Sequence, residues 1–124
     1  MSEAARRQEL GRAAEDIAVD FLRSRGLAIV MRNFKRRAGE LDIVARDGEV
    51  LVIAEVRTRA CDEFGGAAAS VGFKKQARLL RAAAQLLQQR KDLAALRVRL
   101  DVIVVHAPSS QHPSVEWIKH AFTA

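Results

Sequence analysis

The chain has a single cysteine, Cys61, so no disulfide can form within it. A lone thiol fits a reducing compartment, where cross-links do not hold small folds together. No apolar run approaches the roughly 20 residues that a membrane-spanning helix needs, which argues against such a span. The first residues show no leader-like apolar segment. Glu3, Glu9, Glu15 and Asp16 are out of place in an acid-poor transit peptide, so the expected location is the cytoplasm, with no membrane partner. Internal repeats, low-complexity tracts and linkers are also missing. A single domain over residues 1–124 is therefore expected, with residues 1–8 as a loose tail.

What is present suits a folded domain. The 124 residues are 49% hydrophobic and 29% charged, enough apolar material for a core and too much for a disordered chain. Twenty-one lysines and arginines against 15 acidic residues leave a net charge of +6. That balance points either to a polyanionic partner such as nucleic acid or to simple colloidal solubility.

Apolar periodicity orders the chain. Leu10, Ala14, Ile17, Ala18, Phe21 and Leu22 recur at helical spacing and predict a helix over Glu9–Arg25, stopped by Gly26. Leu27–Arg32 reads as a strand, followed by a polar, basic turn or strand end over Asn33–Arg37. Glu40–Ala45 and Val50–Val56 flank Asp47-Gly48, a pair that favours an antiparallel hairpin. Thr58–Ser70 reads as a loop, with Ser70 a helix N-cap. Phe73, Ala77, Leu80, Ala84 and Leu87 then predict a second helix to about Arg90, with this stripe as its apolar face. Val98–Val105 is apolar enough for a central strand, and Val115–Phe122 suits an edge strand. A helix between the third and fourth strands implies a right-handed parallel crossover. The fold class is thus α/β: a mixed sheet of four to five strands, antiparallel hairpin plus parallel crossover, with a helix on each face.

The hairpin carries the chemistry. Glu40 and Asp42 share one face of their strand, and Glu55 and Arg57 share one face of the next. In register, Asp42 and Glu55 become near neighbours. Paired carboxylates need positive charge between them, supplied by a basic side chain or by a divalent cation such as Mg²⁺. Spacing alone leaves both solutions open, Arg57 being the nearest basic partner for an ion pair.

Blocks of sequence narrow the choice. Gly11-x-x-Ala14-Glu15-x-x-Ala18, Arg32-Asn33, Gly39-Glu40-Leu41-Asp42-Ile43-Val44 and Glu55-Val56-Arg57-Thr58-Arg59 occur in order. Gly65–Val71, Lys75-Gln76, Arg99-x-Asp101-Val102 and Trp117-Ile118-Lys119-x-Ala121-Phe122 follow. Together they resemble the YraN-like family of small bacterial proteins, related to the Holliday junction resolvases of the PD-(D/E)xK nuclease superfamily.

The resemblance implies a restriction-endonuclease-like fold with a metal-dependent phosphodiesterase type of site. It implies Mg²⁺ or Mn²⁺ on Asp42 and Glu55, with Glu15 as a third acidic contributor. Arg57 takes the place of the superfamily's lysine, and arginine stays charged, so it stabilises charge but does not deprotonate water. Lys75 either supplies that ammonium or marks, with Lys74 and Arg78, a phosphate-binding face. The implied partner is nucleic acid, DNA of branched or duplex structure. The alternatives are a non-catalytic nucleic-acid-binding or assembly protein that retains the fold, and a homodimeric scaffold.

Several other residues have plainer readings. Glu15 also suits the early part of a helix, where it favours the macrodipole. Asp101 is expected to pair with its same-face neighbour Arg99, and Trp117 to anchor packing. His106, His112 and His120 lack zinc-site spacing. The Gly65–Ala69 loop lacks the lysine and hydroxyl of a phosphate-gripping loop.

Overall fold

In the computed structural model, which describes residues 2–59 and 71–121, the first helix starts well before its apolar stripe. Ser2 caps it by accepting a hydrogen bond from the Ala5 N–H at 3.1 Å, and α1 runs Glu3–Ser24. Residues 3–8 are therefore helical rather than a loose tail. Capping and a first-turn Glu3 support those turns although the residues bury little. The helix ends as expected at Gly26, whose φ of 89° is left-handed. Leu27 N–H returns to Leu22 O at 3.1 Å and Gly26 N–H to Arg23 O at 3.0 Å, a Schellman closure.

The meander that follows is longer than its apolar core suggested: β1 Ala28–Arg36, β2 Gly39–Asp47 and β3 Val50–Arg59. Of the two readings of Asn33–Arg37, turn or strand end, the strand end holds as far as Arg36. Asn33 keeps a φ of 54°, which asparagine tolerates better than most residues. In the β2–β3 hairpin Asp47 pairs with Val50, so the two loop residues are Gly48 and Glu49 rather than Asp47 and Gly48. Gly48 (φ 61°) stands first in that loop, where a type II′ turn requires glycine.

Helix α2 spans Phe73–Gln89. Its N-cap is Gly72, with no side-chain cap, whereas the expected cap Ser70, the Gly65–Ala69 loop and Cys61 lie outside the described residues. A short 3₁₀ turn at Lys91–Leu93 leads to β4, Arg97–His106, which pairs with β3 in parallel from Val50↔Arg97 to Arg59↔His106. The last strand β5, Ser114–Ile118, is antiparallel to β4 at the sheet edge. It stops short of the expected Phe122, which is itself outside the described residues. The strand order is β1-β2-β3-β4-β5. This is the mixed α/β sheet that the sequence predicts.

Alternate strand residues feed two cores. Ile43, Ala45, Val52, Ala54, Ile103 and Val105 pack with Ala14, Ala18, Val19 and Leu22 of α1. Val44, Leu51, Ile53, Leu100, Val102 and Val104 pack with Leu79, Ala82, Ala83 and Leu86 of α2. The buried stripe of α2 is therefore not the expected one. Phe73 is 86% exposed and Ala84 is exposed, while Leu80 and Leu87 only flank the core. Both stripes have helical spacing, but the buried one places Ala82 and Ala83 where small side chains let the helix lie close to the sheet. No helix among the described residues is long and apolar enough to cross a membrane.

Candidate functional site at the open end of the hairpin

The β2–β3 ladder runs from Asp47↔Val50 to Ile43↔Ala54. One step further the register sets Asp42 opposite Glu55. There a side chain replaces the backbone acceptor: Val56 N–H donates to Asp42 Oδ2 at 2.9 Å. Both carboxylates face the α2 side. They line a cleft of about 240 Å³ with Gly39, Glu40, Lys75 and Arg78. Gly39 permits this closeness, because a Cβ there would lie 3.3 Å from the backbone oxygen of Arg78.

Charge in the cleft is unevenly matched. Glu55 is only 5% exposed, and Lys75 Nζ stands 2.7 Å from its Oε1. Arg57 approaches the same oxygen with Nε at 3.7 Å, too far for a hydrogen bond, and that buried nitrogen has no acceptor among the described residues. Asp42 forms no ion pair with a described cation. Burial first, then the negative charge of Glu55, push its carboxyl up to about 7, against the Val56 hydrogen bond, which lowers it. Glu15 and Glu40 add smaller upward contributions.

Glu15 reaches the site from α1. It sits mid-helix, so the reading as an acid in the early part of the helix, favoured by the macrodipole, does not apply. Asn33, with its amide nitrogen turned inward, donates to Glu15 Oε1 and Glu40 Oε1 at 3.2 Å each. The left-handed backbone at Asn33 thus serves a clamp on two acids, a role that the sequence reading missed. The available signal was an asparagine within an otherwise regular strand. Arg32 is taken up by α1, with Nη2 2.7 Å from Asp16 and 3.7 Å from Glu15.

The expected residues Glu15, Asp42, Glu55, Arg57 and Lys75 are thus gathered around the end of the hairpin. Among the described residues no three histidine, cysteine or acidic side chains are arranged to hold one metal ion. Glu40, Asp42 and Glu55 are the acids that line the cleft, and Asp42 and Glu55, opposed across the hairpin, make a hard-ligand pair that leaves other positions to water or phosphate.

Beyond the cleft, Arg37, Lys74, Arg78 and Arg81 line a wider groove of about 800 Å³ on α2, with Phe73 at its wall. Arg78 belongs to both. On the other sheet face Asp101 is fully buried and pairs with Arg99 at 3.0 Å, as expected. It also accepts from Trp117 Nε1 at 2.9 Å and His120 N at 3.1 Å. Trp117 packs edge-on against Phe21 with ring centroids 5.9 Å apart.

An α1–β1–β2–β3–α2–β4 order, with a carboxylate pair where the antiparallel strands part, defines a restriction-endonuclease-like α/β fold. Within that class the chain belongs to the uncharacterised protein family UPF0102, whose model matches residues 14–105. A UPF0102 protein of Pseudomonas savastanoi pv. phaseolicola is 43% identical over 116 residues, 94% of each chain. One of Hahella chejuensis is 45% identical over 115 residues, covering 93% of this chain and 90% of the relative. One of Xanthomonas euvesicatoria pv. vesicatoria is 45% identical over 120 residues, 97% and 96% of the two chains. The family agrees with the YraN-like resemblance of the sequence.

Proposed function

We propose that this protein binds nucleic acid along α2 and presents Asp42 and Glu55 to a divalent cation, Mg²⁺ or Mn²⁺, as a phosphodiesterase of the endonuclease type. The observation that carries this reading is the Asp42–Glu55 cleft, in which Asp42 has no cationic partner among the described residues while its wall is basic. When bound, the ion polarises a phosphate oxygen and acidifies a water. Glu55 and Asp42 would hold the ion through their carboxylate oxygens. Lys75 orients Glu55 and holds an ammonium at the cleft. Arg57, partly exposed beside Glu55, adds positive charge next to the cleft. Arginine as a residue type stabilises charge rather than relaying protons, a task to which lysine is better suited. Arg37, Lys74, Arg78 and Arg81 would contact the phosphate backbone.

A second reading follows from the 2.7 Å Lys75–Glu55 pair. An ammonium that already neutralises Glu55 suits a nucleic-acid-binding protein that retains the fold without the reaction. Calorimetric titration with Mn²⁺ tests the first reading. The native protein takes up metal, while Asp42→Asn and Glu55→Gln do not. Cleavage of junction, flap or single-stranded DNA by the native protein or by Arg57→Lys then separates enzyme from binder. Without metal uptake or cleavage by either, the binding reading replaces the enzymatic one.

A further inference from the structure

Phe73 is the most exposed large apolar side chain among the described residues, at 86%, although its position in the sequence suits a core stripe. Its neighbours on the groove wall are Arg37, Lys74, Arg78 and Arg81, and no acidic residue lines that groove. Among the described residues, none of these four cations forms an ion pair with a carboxylate. An aromatic face surrounded by uncommitted positive charge suits a ligand with both flat rings and phosphates. Arg78 continues the groove into the Asp42–Glu55 cleft.

We infer that Phe73 is a stacking platform for an unpaired base, so that the preferred ligand is nucleic acid with single-stranded nucleotides beside the cleft. The inference rests on the nucleic-acid reading above and narrows its substrate class. In a continuous duplex each base is covered above and below by its neighbours, and only an unpaired base has a free face to place on the ring. The cations hold the strand by its phosphates, and the ring selects unpaired structure without selecting sequence. A forked, gapped or branched DNA offers such a base next to a phosphodiester that can enter the cleft.

Fluorescence anisotropy at low salt tests this with a labelled continuous duplex, the same duplex carrying a central gap, and the single strand, as DNA and as RNA. The gapped and single-stranded probes bind more tightly than the duplex. Phe73→Ala weakens them by about five- to a hundredfold, the range for loss of one base–aromatic stack, and leaves duplex binding unchanged. Phe73→Trp restores the preference. If Phe73→Ala binds the gapped probe as well as the native protein does, the stacking role is overturned while salt-sensitive binding of all probes still upholds the nucleic-acid reading. Sedimentation that finds a dimer dissolved by Phe73→Ala also overturns it, because the ring is then covered by a second copy. Absence of binding to every probe overturns both readings.

Discussion

Asp101 and Asp42 are both carboxylates set among apolar strand residues, on opposite faces of one sheet. Asp101 is met by donors on every side: Arg99 from its own strand, the indole of Trp117 from β5, and the backbone N–H of His120 beyond it. Asp42 receives one backbone donor and faces Glu55, whose own cation partners are Lys75 and Arg57. A fully buried charge persists when it is paired and hydrogen-bonded, as Asp101 is. A carboxylate denied that compensation holds its proton, or accepts a cation from outside. The contrast separates a polar group that fixes the structure from one left open to a ligand.

The strongest way to break this comparison is to disarm Asp101. Asp101→Asn leaves Arg99, whose side chain is 10% exposed, without its buried counter-charge. Urea unfolding should show a loss of about 3–5 kcal/mol, and a loss below about 1 kcal/mol would remove the distinction drawn here. Asp42→Asn should act with the opposite sign above neutral pH. The folded Asp42 carboxyl titrates at about 7, whereas an unfolded aspartate titrates near pH ~4. Between these values the folded chain binds more protons, so stability falls as pH rises through that window. Asparagine keeps an oxygen for Val56 and removes the titration. Metal-free thermal melts should therefore show the variant more stable than the native protein at pH ~8, by about 1–3 kcal/mol, and no gain at pH ~4.

Smaller changes sharpen the picture. Trp117→Phe removes one donor to Asp101 while preserving the edge contact with Phe21. It should cost about 1–2 kcal/mol in the same unfolding assay. Gly39→Ala places a methyl group 3.3 Å from Arg78 O. The expected cost is about 1 kcal/mol or less, as α2 shifts by a few tenths of an ångström. Its effect should fall more heavily on Mn²⁺ affinity than on stability, because the shift moves Lys75 relative to Glu55.

Much of this fold is legible because its determinants are local. Period-two alternation in β2 and β3, a glycine in the hairpin loop and Gly26 after α1 each act within a few residues, so strand faces and helix ends can be read directly. The Asp42–Glu55 juxtaposition follows from the same register. The start of α1 escaped because a Ser2 cap, rather than an apolar stripe, extends the helix. The buried face of α2 escaped because two sets of residues share helical spacing, and periodicity ranks neither.

The sequence by itself determined the element order, the two-faced sheet and the placing of acids on one hairpin face, since chain geometry alone converts spacing into direction. Only the tertiary structure decided which acids are satisfied and which aromatic ring is left in solvent. Asp101 draws Trp117 and His120 from 16 and 19 residues away. Phe73 is excluded from the core because Leu79, Ala82, Ala83 and Leu86 fit the sheet more closely. Such outcomes depend on which distant groups compete for the same donor or the same space, and that competition is settled only when the layers pack.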